Sequence, residues 1–303
     1  MKKLLLGILL TVSALTSFAS NWPNRPVTLV VPFAAGSYST MVANALQAEF
    51  EARFKTPVIV KYMPGAGSLV AVNHVLNNDN DNHTIILFND DFIAAQHTQG
   101  TNLHDQFVPV NIFSKYGIYI YGNSNASTEK FKNTIKNGVV NVGNMGAGGA
   151  YDIWTRQLKY PGMTVNPIPY KGGAPMQADV LGGHLDYGLS NLVTARALVE
   201  EGKLKPVAIS TLERNHIDKD VPTFRELGIQ GEPFYGFFGI FTRKDTPQEA
   251  VDAMSKILQD IVATNATFKN QAAAGINVAN LDSAKSKTLV LETIRRLNRM
   301  MQK

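Results

Sequence analysis

The patterned part of the chain begins with an apolar, β-branched run, Val27–Phe33, which reads as a buried strand. Small residues and hydroxyls follow. Val42, Leu46, Phe50 and Phe54 then recur at helical spacing, and Val58–Tyr62 reads as a second buried strand. Strand, helix and strand in this order form the unit of a parallel sheet. Gly65-Ala66-Gly67-Ser68 opens a further helix toward Leu76, and the polar run Asn77–Asn82 is a turn before the strand Thr84–Phe88. Ile112–Tyr121 reads as one extended segment leaving a first lobe. Phe131–Asn137 with Val139–Gly143 starts a second α/β set, and Phe234–Thr242 is again apolar and extended. The two extended segments read as the crossing strands of a hinge.

The end of the chain carries helix grammar. Thr246 at the N-cap, Pro247 at the first helical position and Glu249 two residues on form a capping box ahead of the stripe Val251, Met254, Ile257, Leu258 and Ile261. A last helix over Ser283–Met301 repeats the pattern with Leu289, Ile294 and Leu297. These positions read as core packed back onto the first lobe.

Two strand-to-helix junctions carry candidate chemistry. One is Val27–Asn44; the other is Val139–Leu158, where Gly143, Gly146, Gly148 and Gly149 crowd the turn. Backbone N–H groups at such junctions have no partner inside the helix and attract a carboxylate or another anion. Two of them in one chain suggest a ligand held between two lobes.

The first residues bear on where the protein works. Met1, Lys2 and Lys3 are followed by apolar Leu4–Leu15 and by Ser17-Phe18-Ala19, the pattern of a cleavable signal peptide ending at Ala19. The apolar run is shorter than the roughly 20 residues that span a bilayer. The sequence has no cysteine, so neither a disulfide nor a thiolate metal site enters the reading. The formal net charge of +5, of which Lys2 and Lys3 supply two, is spread along the chain and reads as solubility charge with no nucleic-acid partner.

Catalytic motifs are missing: no G-x-S-x-G elbow, Walker lysine or H-E-x-x-H pair occurs. The six histidines fall at spacings that do not suit a shared metal. No enzyme activity, metal or cofactor is expected. The pair Asp90-Asp91 stands directly after a strand and has three open readings: cap of the next helix, ligand contact or acid/base work. A hydrolase using Ser37 or Ser39 with Asp90 lacks a positioned histidine base.

Six segments in order carry a resemblance: WPNRPVTLVVPFAAG at Trp22–Gly36, PGAGS at Pro64–Ser68, YKGGAPMQADVLGGHLDYGLSN at Tyr170–Asn191, EGKLKPVAIS at Glu201–Ser210, DVPTFRELG at Asp220–Gly228 and YGFFGIFTRKDTPQE at Tyr235–Glu249. From about Trp22 onward the chain resembles the substrate-binding receptors of tripartite tricarboxylate transporters, the Bug family. The resemblance implies an α/β, two-lobed periplasmic binding protein of the "Venus flytrap" kind, each lobe a mixed sheet flanked by helices, with two crossing hinge strands. The expected divisions are a signal peptide over 1–19, a first lobe over 20–115 plus 236–303, and a second over 116–235. The implied function is extracytoplasmic capture of a small organic acid or amino acid and delivery to membrane permease subunits, by a monomer in the periplasm. The alternative is a ligand sensor that signals to a membrane histidine kinase.

The resemblance also implies ligand-binding positions. These are Phe33, Ala35, Gly36, Ser37, Tyr38, Ser39 and Thr40 in the first loop, Asn89 and Asp90 after the Thr84–Phe88 strand, and Asn144, Gly146, Ala147, Gly148, Gly149 and Ala150 in the Gly-rich loop. Tyr170, Lys171, Ser190 and Asn191 stand where further second-lobe loops reach the cleft. Tyr38 reads either as a lid on the ligand or as a surface aromatic, and Lys171 as a ligand charge or a solvated side chain. The chain departs from the family pattern in three loops. Ser37 and Thr40 replace a glycine and an aspartate, Gly149 and Ala150 replace hydroxyl residues, and Asn89, Asp90 and Asp91 replace a glycine with threonine or serine. A buried acidic group beside an anion site costs binding unless it meets a cation. Either Asp90 points away or the ligand bears an amino or other cationic group.

Overall fold

The computed structural model describes residues 22–302, apart from 36–37, 66–67, 79–82, 194 and 274. The signal-peptide reading, Gly36, Ser37, Ala66, Gly67 and the heart of the turn before residue 83 lie outside the described residues. Two mixed sheets flanked by helices build two lobes, as the resemblance implies.

The first sheet has the order β11-β4-β10-β3-β1-β2. Its parallel part comprises β1 (Val27–Val31), β2 (Val58–Tyr62) and β3 (Thr84–Asn89), joined by α1 (Tyr38–Phe54) and α2 (Leu69–Asn78). All six residues of β3 are buried, and the strand lies inside the sheet between β10 and β1. β4 (Phe107–Tyr116), β10 (Gly236–Arg243) and β11 (Asn277–Leu281) add the antiparallel half. The ladder between β10 and β4 shifts register after Phe238, and the Ile112 N–H nearby donates to Ser286 Oγ at 2.9 Å.

The second sheet has the order β7-β6-β8-β5-β9. β6 (Val139–Met145) lies parallel to β7 (Thr164–Tyr170) and β8 (Tyr187–Ser190), while β5 (Tyr119–Asn123) runs antiparallel to β8 and to β9 (Leu204–Ile209). α4 (Thr128–Asn137), α5 (Ala150–Arg156), α6 (Gly173–Gly182) and α7 (Arg196–Glu200) connect these strands. α8 (Gln248–Thr264), α9 (Ala266–Ala273) and α10 (Ser283–Met301) return to the first sheet, as the apolar stripes predict. α3 (Asp90–Thr98) follows β3 without an intervening residue.

Three sequence readings are corrected here. Ile112–Tyr121 is two strands in different sheets, and the passage between lobes is the short stretch from Tyr116 to Tyr119. Ser210 fastens that passage: its Oγ accepts the Ile118 N–H and donates to the Phe234 carbonyl, both at 2.8 Å, while its own N–H donates to the Ile118 carbonyl. The helix expected from Thr40 begins at Tyr38. Thr246 does not cap α8; the helix starts at Gln248 after Pro247, without a side-chain cap. The Thr246 hydroxyl is buried and pairs with Thr242 Oγ1 at 3.0 Å instead.

Candidate functional site

Parallel α/β sheets place loops at the carboxyl ends of their strands, where ligands gather. In this chain those ends meet across the lobes: α3, issuing from β3, lies against α5, issuing from β6. α3 follows its strand at once, whereas α5 starts after the four-residue Gly-rich turn Gly146–Gly149.

The contact is a side-chain carboxylate on a backbone amide. Asp91 Oδ1, on α3, accepts the N–H of Ala150, the first residue of α5, at 2.9 Å. Asn89 Nδ2 donates to the other oxygen of Asp91 at 3.2 Å. The Gly-rich loop permits this approach. A Cβ on Gly149 would lie 3.0 Å from Asp91 Oδ1, and one on Gly148 would lie 3.1 Å from Thr98 Oγ1 on α3. Gly148 also has φ +72, a region that penalises any side chain.

Asp90 faces differently. It is fully buried, and its Oδ1 accepts the Tyr116 hydroxyl at 2.8 Å and the Phe237 N–H at 3.0 Å. Tyr151 of α5 is buried close enough to feel the Asp90 and Asp91 charges, and burial with those charges pushes its hydroxyl well above the usual tyrosine range. Asp90 Oδ2 has no partner and is buried. Burial pushes the Asp90 carboxyl up to about 7, and the neighbouring Asp91 charge adds to this while Tyr116 and Phe237 oppose it. Burial also raises Asp91, to about 6, against the stabilising bonds from Ala150 and Asn89. Arg296 of α10 feels the Asp90 charge, and its guanidinium donates to the Tyr235 carbonyl at 2.8 Å. It lies over the Phe234 and Tyr235 rings at 5.7 and 6.0 Å.

On the second lobe, Asn144 is fully buried and donates to Asp152 Oδ1 at 3.2 Å, while Asp152 Oδ2 accepts the Gly148 N–H at 2.9 Å. Asn144 Oδ1, Asn89 Oδ1 and the Tyr121 hydroxyl are buried without partners, as Asp90 Oδ2 is.

Asn89, through Asp91, and Asn144, through Asp152, are thus each tied to the loop from Gly146 to Ala150, within which Ala147 is exposed, while Asp90 faces Tyr116 and Phe237 in the first lobe. Other expected residues are placed elsewhere. Tyr38 is neither lid nor surface: its hydroxyl donates to Gln271 Oε1 at 2.6 Å, and its ring packs 4.8 Å from that of Phe238 inside the first lobe. Ser39 is buried, Thr40 and Phe33 are half-buried, and Ala35 is exposed. The Tyr170 hydroxyl donates to Asp179 of α6 at 2.7 Å, and Lys171 is exposed. Ser190 Oγ and Asn191 Oδ1 accept the N–H groups of Leu192 and Val193, forming local turns. A cavity of about 450 Å³, lined by Trp154, Leu158, Phe224 and Arg225 among others, contains none of the expected residues. Tyr116, Tyr151 and Arg296 had no local sequence signal, because the groups they face lie far from them along the chain.

A sequence model described as the tripartite tricarboxylate transporter family receptor matches residues 42–303. The chain is 24% identical over 272 residues to Protein BugT of Bordetella pertussis, covering 85% of this chain and 82% of that protein. It is 26% identical over 266 residues to an uncharacterised-family protein from the ttuE-ttuC' intergenic region of Agrobacterium vitis, covering 84% and 77%. Among solved structures, it is similar to the periplasmic binding protein BugD, at 25% identity, TM-score 0.75, with 92% of this chain and 98% of that chain covered. It also shares its fold with MatC of Rhodopseudomonas palustris with bound malate, at 24% identity, TM-score 0.77, covering 92% and 99%. A second protein of that organism, with adipate, shares it at 21% identity, TM-score 0.80, covering 93% and 98%. A match over most of the chain, from the first helix to the C-terminus, shows that the protein belongs to the tripartite tricarboxylate transporter receptor family of solute-binding proteins.

Proposed function

We propose that this receptor works in the periplasm after signal-peptide cleavage at Ala19, encloses a small carboxylate-bearing metabolite between its lobes, and presents it to membrane permease subunits. The observation that carries the reading is the seam itself, where buried polar groups of both lobes meet at Asp91 and Ala150. The malate and adipate of the two structural neighbours support a small organic acid as the solute class. The lobes of this reading are 20–115 with 236–303, and 116–235, supported by the passage of the chain between sheets after Tyr116 and again before Gly236. In this reading Phe33, Ala35 and Thr40, on either side of the turn into α1, belong to the first-lobe wall, and Asn89, Asp90 and Asn144 are polar groups a solute meets.

A solute touching both lobes stabilises the closed arrangement by its differential contacts, and closure marks the loaded receptor. The test is a thermal-shift and native mass-spectrometry screen of the purified protein against organic acids and amino acids. A solute at 100 times its Kd adds about 2.7 kcal/mol of stability. A saturable rise with a small carboxylate is expected; turnover of the solute, or silence toward every acid, would overturn the reading.

A further inference from the structure

The cavity of about 450 Å³ lies in the second lobe, between the end of α5 and the stretch from Ser210 to Pro233, and shares no residue with the seam. Its volume is that of a small-molecule site. The wall is largely apolar: Trp154 and Phe224 stand edge to face with ring centroids 5.0 Å apart, Leu158 and Ile229 adjoin them, and Leu212 is 52% exposed. Leu158, Phe224 and Ile229 also line a second void of about 10 Å³ whose other neighbours are all apolar. That void gives a water no polar partner, so it stays dry and lets the floor yield to an apolar group.

Most polar groups of the wall are spent inside the protein. Trp154 Nε1 donates to the Glu232 carbonyl at 2.8 Å, the Glu232 N–H to Gln157 Oε1 at 2.8 Å and the Thr211 hydroxyl to the Glu213 carbonyl at 2.5 Å. Ser210 Oγ is taken by Ile118 and Phe234, and the Glu232 carboxylate pairs with Arg299 at 3.2 Å. The side chains of Gln230 and Arg225 remain, both exposed. Among the described residues Arg225 has no carboxylate partner, because its neighbour Glu226 pairs with Arg214 at 2.9 Å. A sugar needs more hydrogen bonds than this wall offers, a dicarboxylate would set its second charge against apolar surface, and an amine would meet the like charge of Arg225. We infer that the cavity is a second ligand site, taking an apolar monocarboxylate with its tail against Trp154, Phe224 and Leu212 and its carboxylate at Arg225. The site is separate from the seam and does not rest on the proposed function.

The test uses octanoate, with octanol, octylammonium and the eight-carbon dicarboxylate as matched probes, at about pH 7.5, where a carboxylic acid is ionised. The chain has two tryptophans, so Trp22→Phe leaves Trp154 as the only one and its fluorescence reports on the cavity. Octanoate should change that fluorescence saturably and bind about three- to fivefold tighter than octanol, the range of a solvent-exposed charge contact, with the advantage shrinking as salt is raised. Octylammonium and the dicarboxylate should bind more weakly than octanoate. Arg225→Gln should erase the advantage over octanol, and Leu212→Glu, at an exposed position, should weaken octanoate about tenfold by setting a like charge at the mouth; far-UV circular dichroism checks that both variants fold. Octanoate affinity unchanged in both variants, a dicarboxylate that binds as tightly, or no fluorescence response would overturn the inference and leave the receptor reading standing. A parent dimer that Leu212→Glu dissociates would assign the cavity to a second copy of the chain and overturn it as well.

Discussion

Asp91 of the first lobe and Ala150 of the second are joined by one hydrogen bond of 2.9 Å, with a carboxylate from one lobe accepting the leading amide of a helix in the other. The bond is supported from behind by Asn89 and is possible only because Gly148 and Gly149 let α3 approach. It makes the seam between lobes an internal polar contact before any solute is considered.

Removing that contact should cost stability in a graded way. Asp91→Ala leaves the Ala150 N–H and the Asn89 Nδ2 without their acceptor, and a loss of about 1–3 kcal/mol is expected. Asp91→Asn retains an acceptor oxygen and, compared near pH 5, should lose less than half of that. Urea unfolding of both variants, followed by far-UV circular dichroism, checks the order.

The pair Asp90 and Asp91 should make stability depend on pH in an unusual direction. Both carboxyls are raised by burial, so between about pH 4 and 7 the folded chain holds more protons than the unfolded one. Their contribution is favourable below the unfolded value and is lost as pH rises through the folded values. The groups facing them are Tyr116 from β4, Tyr151 from α5 and Arg296 from α10. Asp90→Asn keeps an acceptor for Tyr116 and Phe237 while removing the charge. It should therefore be more stable than the parent near pH 8, by on the order of 1–4 kcal/mol, and similar to it near pH 5. Melting temperatures of the two proteins across that range decide it; a constant difference at all pH values would refute the linkage.

Ser210 should be the most sensitive hydroxyl at the crossing between lobes. Its Oγ bonds both the Ile118 N–H and the Phe234 carbonyl and is buried. Ser210→Ala leaves two buried backbone groups short of a partner, and about 2 kcal/mol should be lost. A lower urea midpoint with an unchanged m-value is the expected signature.

Gly236 should not accept a methyl group. A Cβ there would overlap the Tyr116 ring, whose hydroxyl reaches Asp90 across the sheet. Gly236→Ala should therefore cost about 1–3 kcal/mol by overpacking. It should also steepen the pH dependence described above, because displacing Tyr116 removes a hydrogen bond that holds the Asp90 carboxyl down. Equilibrium unfolding near pH 5 and pH 8 measures both effects.

Much of the first lobe was legible from the chain. The run Val27–Val31, the helical spacing of Val42, Leu46 and Phe50, and the strand Val58–Tyr62 became β1, α1 and β2; β1 and α1 bury the faces their periods define, whereas β2, read as buried, is an edge strand with only Val58 buried. The Gly-rich loop and the Asp90-Asp91 pair were visible as chemistry for the same reason: glycines at a strand-to-helix turn and paired carboxylates after a strand are local patterns. Tyr38 was not legible. Its aromatic character was plain, but its hydroxyl partner Gln271 is 233 residues away. Thr246 was misplaced because its buried hydroxyl found Thr242, four residues back on β10, in preference to the helix amides a cap would satisfy.

By itself, then, the sequence determined the strands, most helices and the loops that carry polar groups, because these follow from side-chain period and backbone freedom within a few residues. Only the tertiary structure decided what the loops do to one another. Asp91 and Ala150 are 59 residues apart and lie on different lobes. Tyr116 bonds Asp90 from a strand and Arg296 feels its charge from a helix, with no local pattern that marks either. Such pairings depend on how the two sheets are held across the crossing at Ser210, a long-range packing result that no local propensity encodes.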